Sequence, residues 1–328
     1  MKKELEIWQF AVGRLKQNKS VMLLVVAESS GSSPGRQGFK MVVAADEIIG
    51  SIGGGVMELN LVESAKKHLK STGGSSGANP DSFIKPQIHQ KNSTNPSGMI
   101  CSGRQTVIFY KLNSTDLPTI RKIIRALNNH RAVILQISNT NFHVLEIQVE
   151  DDFDFQFEHH DEDNFLFREK LGFKNKLFII GGGHCALALS ELASKMDFYI
   201  SLFDDRADLN TLAKNKFVHA KTIIESYEEI GDFIPSGENH FVVVMTLGYQ
   251  SDEIVIRKLI DKNFKYFGVL GSNAKMATLL KNLSKEGFAA EKLNNIRTPI
   301  GLKINSRTPE EIAISIAAEI IAVKNSTG

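Results

Sequence analysis

The sequence predicts an α/β protein in two parts: an N-terminal α/β domain on a mixed sheet, then a C-terminal doubly wound parallel sheet. Three observations carry this. Residues 177–180 are an apolar run that breaks into Gly181-Gly182-Gly183, and Ala186, Leu187, Leu189, Leu192 and Ala193 then follow a helical pattern. A second apolar run, 198–203, closes on Asp204-Asp205-Arg206. Strand, glycine turn, helix, strand and acid in this order make a phosphate- and ribose-binding βαβ unit. The unit starts past the middle of 328 residues, a length at which two domains are the expectation.

The first half reads as follows. Leu5, Trp8, Phe10, Val12 and Leu15 fit one face of an opening helix, and residues 21–27 form a strand. The stretch 29–35, SSGSSPG, is a turn-rich loop. Residues 40–44 and 48–52 read as a hairpin, and Gly53-Gly54-Gly55 opens a helix over 56–69. From 71 to 98 Ser, Gly, Asn and Pro dominate, so a long loop or partly disordered insert is expected. A strand over 106–112, a helix over 119–128 and strands over 133–137 and 143–147 complete a domain of residues 1–165. The acidic segment 151–172 is read as the linker. His159-His160-Asp161-Glu162-Asp163 within it is taken as solvated, not metal-binding, because adjacent ligands on a flexible segment fix no coordination geometry.

The second domain, 174–328, reads as Rossmann-like. After the βαβ unit come helices over 207–214 and 223–230, a buried strand over 241–246, a helix over 252–261 and a strand over 266–270 ending at Gly271-Ser272. The last helix has a clear start: Thr308 caps, Pro309 fits the first turn, and Glu311 completes a capping box.

Composition narrows the function. The chain is 42% hydrophobic and 23% charged, with a net charge of +2, which suits a globular protein and gives no broad nucleic-acid footprint. The two cysteines, Cys101 and Cys185, match no zinc spacing and suit a reducing compartment. Glu4, Glu6 and Gln9 break any apolar signal core, and no run approaches the ~20 apolar residues of a membrane span, so a cytoplasmic location is expected.

The motifs suggest a phosphorylated ligand. In Gly181-x-Gly183-x-x-Ala186 the first glycine permits the tight turn, the second lets backbone approach a phosphate, and Ala186 allows close helix packing. The helix N-terminus offers free N–H groups, with His184 beside them. Asp204 is the natural acceptor for ribose hydroxyls, while Arg206 meets a phosphate or forms an ion pair with Asp205. Thr246, Gly271 and Ser272 end later strands and face the same crevice, with Lys275 one turn into the following helix. In the first domain Gly50-Ser51-Ile52-Gly53-Gly54-Gly55 reads as an anion cradle ahead of Glu58. Cys101 stands beside Arg104, which would favour a reactive thiolate; the alternative is a small loop residue.

These segments in this order resemble the xanthine dehydrogenase accessory family, XdhC/CoxI. The likeness rests on SSGSSPGRQGFKM (29–41), GSIGGGVME (50–58), CSG (101–103), residues 178–206, VVVMT (242–246), YFGVLGSNAK (266–275) and TPIGLKINSRTPEEIAISIAAE (298–319). The resemblance implies a protein that binds molybdenum cofactor and helps deliver it to a molybdenum hydroxylase apoenzyme, sometimes with a cysteine desulfurase as sulfur donor. On these motifs Ser32, Ser33, Gly53, Gly54, Gly55, Gly181, Gly183, His184, Asp204, Arg206, Thr246, Gly271, Ser272 and Lys275 are the candidate cofactor-binding residues, and Glu58 and Cys101 the candidates for chemistry. Val56 stands where the family often carries cysteine, Leu247 where it carries histidine, and Asn273-Ala274 where it carries arginines. The first reading is thus a cofactor-binding maturation factor without turnover of its own. An NAD(P)-dependent oxidoreductase using the glycine turn is the alternative. A nucleotidyl-handling enzyme with magnesium on Glu58, Asp204 and Asp205 is a third reading. A homodimer is the expected assembly, with no nucleic-acid or membrane partner.

Overall fold

The computed structural model describes residues 2–70, 82–89, 103–148, 153–162 and 164–326. The chain divides at Gly172/Phe173 into two compact units.

Unit 1 opens with α1 (Lys2–Leu15), whose Ile7, Trp8, Ala11 and Leu15 are buried. Then come β1 (Val21–Gly31), β2 (Lys40–Val43), β3 (Ile48–Gly50) and α2 (Gly55–Lys70). β4 (Ser82–His89) and β5 (Gly103–Leu112) complete a sheet of order β3-β2-β1-β5-β4, with every pairing antiparallel. β1 serves both faces of it. Leu23, Val25 and Ala27 enter the core under α1, and Met22, Leu24 and Val26 enter the core under α2. α3 (Leu117–Asn128) leads to a second antiparallel sheet of order β7-β6-β9-β8, made of β6 (Val133–Ser138), β7 (Phe142–Glu146), β8 (Phe155–His159) and β9 (Phe165–Leu171). The mixed sheet expected here thus resolves into two antiparallel ones.

Two expectations need correction. The polar segment 71–98 contains β4, which pairs with β5 from Ser82↔Tyr110 onward. Its Phe83 stacks on Phe109 at 4.8 Å, so one aromatic anchors a strand in a stretch of otherwise loop-like composition. The acidic segment is likewise no linker. β9 alternates buried Phe165, Phe167, Glu169 and Leu171 with half-buried residues, a half-buried strand pattern that the surrounding carboxylates disguised.

A charged joint lies between these sheets. Lys40 of β2 is buried, and its Nζ donates to Glu169 Oε1 at 2.8 Å, the Gly38 carbonyl at 3.0 Å and Glu4 Oε2 at 3.3 Å. Burial alone would lower the lysine pKa, but the two carboxylates outweigh it and hold the ammonium above its ordinary value.

Unit 2 runs β10 (Asn175–Ile180), α4 (His184–Ser194), β11 (Phe198–Asp204), α5 (Asn210–Lys214), β12 (Ala220–Ile223), α6 (Ile230–Phe233), β13 (Gly237–Val244), α7 (Tyr249–Leu259), β14 (Phe264–Val269), α8 (Asn273–Lys285), α9 (Ala290–Asn294) and α10 (Pro309–Asn325). The helix expected over 223–230 is replaced by the end of β12 and a 3-10 turn, Tyr227–Glu229, before α6. The sheet is fully parallel, in the order β12-β11-β10-β13-β14. Its central strand is apolar on both faces: Leu177 and Ile179 enter one core, Phe178 and Ile180 the other. α10 carries the expected capping box, with the Thr308 side chain accepting from the Glu311 N–H.

Candidate functional site

In unit 2, α4 packs its Ala186, Leu189 and Ala193 on one face of the sheet, and α7 packs Val255, Ile256 and Leu259 on the other. The strands before them, β10 and β13, are neighbours. The connections from these two parallel strands therefore leave to opposite faces of the sheet, which opens a crevice at the carboxyl edge.

The glycine turn lies there. Gly181 has φ +107°, and a Cβ on it would stand 2.2 Å from the Met245 carbonyl oxygen, so β13 passes too close for any side chain. At Gly182 a Cβ would meet Leu212 at 2.6 Å. Gly183 caps α4 with extended backbone and has nothing within 4 Å of its Cβ position, so this face of the turn is open. His184 begins α4 and is exposed.

Asp204 does not face that opening. It is fully buried, and its Oδ2 accepts from the Gly182 N–H at 2.6 Å and from Arg206 Nη2 at 2.9 Å. Its Oδ1 accepts from the Arg206 N–H and Nε, each at 2.9 Å. Burial pushes the carboxyl pKa up, but the hydrogen bonds from Arg206 and Gly182 outweigh this and hold it below its ordinary value. The acid expected at a ribose therefore braces the turn, and the guanidinium expected at a phosphate is engaged by that acid. Asp205, exposed and 3.6 Å from Arg206 Nε, is the carboxylate that solvent reaches at this strand end.

Across the crevice, Thr246 lies just beyond the end of β13. Its Oγ1 donates to Asp252 Oδ1 at 2.6 Å, and its N–H donates to the same oxygen at 3.2 Å. Asp252, on the first turns of α7, is buried, and desolvation pushes its pKa up to about 6 despite those bonds and the charge of Lys275. A Cβ on Gly271 would stand 2.5 Å from Met276 Cε, so the methionine tip would have to move, and Ser272 caps α8 by accepting from the Lys275 N–H at 3.4 Å. Lys275 is exposed. The structure thus gathers Gly181, Gly183, His184, Thr246, Gly271, Ser272 and Lys275 at one edge of the sheet. It adds Asp252, which no spacing pointed to.

A raised carboxyl pKa in the fold means that folded protein binds the proton more tightly. The associated stability is present below the ordinary carboxyl value and lost as pH rises through about 6. Unit 2 is therefore expected to lose up to ~3 kcal/mol between pH 4 and 6 from this group. Denaturant titrations across that window should show the slope in wild type and a flatter one in Asp252→Asn. Equal slopes would remove Asp252 as its source.

In unit 1 three motifs converge on a residue that the sequence did not single out. Ser33 Oγ donates to Gln105 Oε1 at 2.8 Å, and Gln105 Nε2 donates to the Ile52 carbonyl at 3.4 Å. A Cβ on Gly53 would stand 2.5 Å from the Gly35 nitrogen, and one on Gly103 2.4 Å from the Ser33 nitrogen. Ser33 is thus buried structure, while Ser32 beside it is exposed. Gln105 lies at the polar start of β5, between Arg104 and Thr106, where nothing in the strand marks it out.

The expected anion cradle holds an anion of the chain's own. Glu58 Oε2 accepts from Ser51 Oγ at 2.7 Å and from the Ile52 and Gly54 N–H groups at 2.9 Å each. Gly53, Gly54 and Gly55 all have positive φ, so the turn is wound around this carboxylate. Glu58, expected as a group for chemistry, therefore serves as a brace. Glu58→Ala is expected to lower the stability of unit 1 by ~1–3 kcal/mol in a denaturant titration, because it leaves three donors without that acceptor. Cys101 lies outside the described residues. Among those described, no group of three or more His, Cys, Asp or Glu side chains is placed to hold a metal ion.

A family model described as the XdhC Rossmann domain matches residues 177–320, and one described as the XdhC and CoxI family matches residues 14–76. The chain belongs to the XdhC and CoxI family. A crystal structure of a xanthine dehydrogenase from Bacillus halodurans superposes with a TM-score of 0.70 over 99% of this chain and 96% of that one, at 21% identity, a likeness of fold. An uncharacterized Escherichia coli K12 protein, YqeB, is 24% identical over 318 residues, which are 95% of this chain and 45% of that protein. A Bacillus subtilis 168 protein described as a probable xanthine dehydrogenase subunit is 30% identical over 170 residues, 51% of this chain and 48% of that protein. The chain spans about half the length of the curated relatives it matches. Val56, behind the glycine triplet, and Leu247, behind Thr246, are 51% and 82% exposed. No helix among the described residues is long and apolar enough to cross a membrane.

Proposed function

We propose that this XdhC-family protein is a cytoplasmic accessory factor for a xanthine dehydrogenase-type molybdenum hydroxylase, and that it holds the molybdenum cofactor before transfer to the apoenzyme. The observation that carries the reading is the open face of Gly183 at the N-terminus of α4, on the same carboxyl edge of the sheet as Thr246 and Lys275. A phosphate fits there. Backbone N–H groups and the helix dipole favour an anion, and no side chain fills the approach. Thr246, fixed by Asp252, and Ser272 would orient the bound group, and His184 would border it. The cofactor itself supplies the redox metal to the client enzyme. This chain's residues bind, orient and shield it. Cys101 is the candidate contact for molybdenum or sulfur, a cysteine desulfurase the candidate sulfur donor, and a homodimer the proposed assembly.

The NAD(P) oxidoreductase reading uses the same turn, but the acid best placed for ribose hydroxyls is buried, which favours a ligand held by phosphate alone. Melting temperatures measured with molybdopterin, CTP, NAD and NADP separate the two. A rise with molybdopterin that Lys275→Glu abolishes is expected, and a rise with NAD alone would reverse the choice. Cys101→Ser is expected to reduce reconstitution of active hydroxylase, and full reconstitution would leave Cys101 without that role.

A further inference from the structure

Unit 1 contains a cavity of about 500 Å³ that none of the motifs predicted. It lies between the first turns of α1 and the β2–β3 hairpin, and its size is that of a small-molecule site. Its walls are apolar: Ile7, Ile49 and the ring of Phe39. Phe39 is 44% exposed, and its ring packs on no other ring among the described residues. The polar groups are mostly acceptors. Glu4 lines the wall, fixed by Trp8 Nε1 at 2.9 Å and by Lys40, and Glu6 stands exposed with no hydrogen bond or ion pair among the described residues. The three protons of the Lys40 ammonium all have acceptors in the chain, so this buried cation offers a ligand nothing. Lys3, at the mouth, is the one remaining side-chain cation of the lining.

A flat guest, largely apolar on its faces and rich in N–H donors at one edge, suits this lining. We propose that this cavity binds a bicyclic heterocycle with an aminopyrimidinone edge, such as a pterin or a guanine, with the ring on Phe39 and its adjacent N–H groups on the Glu6 carboxylate. A ring N–H beside an amino group matches a carboxylate with two parallel hydrogen bonds. Lys3 would meet an anionic substituent. The pterin as source rests on the cofactor reading above; the edge chemistry does not.

The test uses the whole chain with two probes, neopterin followed by its fluorescence and guanosine by equilibrium dialysis. Glu6 and Phe39 are exposed, so Glu6→Gln and Phe39→Ala should keep the wild-type melting temperature. Saturable neopterin binding, weakened about tenfold or more in each variant, is the expected result. Lumazine, which lacks the amino group, should bind more weakly than neopterin. Guanosine binding with the same losses would support the edge and give it a purine source. No saturable binding of either probe, or equal binding by wild type and both variants, would overturn the assignment. If molybdopterin copurifies in full with both variants while neopterin fails to bind, the cavity assignment falls and the accessory reading stands. Neopterin bound through Glu6 and Phe39 by a protein that holds no molybdopterin would have the opposite meaning.

Discussion

Lys40→Met is expected to destabilise unit 1 by about 3–5 kcal/mol, because it leaves the carboxylates of Glu169 and Glu4 in a largely buried site without their cation. The loss should appear as a lower denaturant midpoint. A double change, Lys40→Met with Glu169→Leu, should recover much of it, since an apolar pair leaves fewer stranded charges. A single variant as stable as wild type would mean that water reaches the joint. The pKa direction fits an ion pair that persists at neutral pH. Lys40 is raised, so its contribution is complete below its ordinary value and fades only as pH climbs through the folded value. The pair thus ties β2 to β9 and α1 throughout the physiological range.

Asp204→Ala is expected to cost about 3 kcal/mol in unit 2 and to weaken every ligand of the glycine turn alike. The side chain is fully buried and accepts four hydrogen bonds, one of them from Gly182. Its removal strands that N–H, while the partly exposed Arg206 can turn to water, which keeps the loss below that of a sealed pair. Equal losses for ligands with and without ribose would identify Asp204 as a brace, whereas losses confined to ribose-bearing ligands would restore it as a contact. Acid should have a related effect. The carboxyl pKa is lowered in the fold, so its stabilisation is present above the ordinary carboxyl value and is lost as pH falls through the folded one. Asp204→Asn should therefore show a shallower loss of stability on the acid side.

Much of unit 2 was legible in the sequence because its strands are buried on both faces and its turns are marked by glycine. The run over 177–180, the triplet behind it and the capping box at Thr308 and Glu311 all appear as read. Unit 1 was harder. β4 and β9 lie in segments whose Ser, Asn, Asp and Glu content imitates loop, and only the short Phe83-Ile84 pair with Ile88 in one and the period-two phenylalanines in the other betray the strand. The bracing contacts of Asp204 and Glu58 are not legible in the sequence, for a single reason. Spacing brings a carboxylate near a glycine turn but does not reveal whether it points at a guest or at the turn's own amides. Gln105, Asp252 and Lys40 were missed because their partners lie far along the chain or on the next helix turn, where no motif links them.

Each half of the molecule keeps a negative charge of its own against the amides of its glycine turn, Glu58 in one and Asp204 in the other. The loops are in this way drawn to shape before any guest arrives. Less chain freedom is then surrendered on association, and affinity gains from stiffness as well as from contact. The same charges stand near an incoming anion and repel it. Capture and release are thereby brought closer in free energy, which is the balance that the proposed hand-over of a cofactor would require.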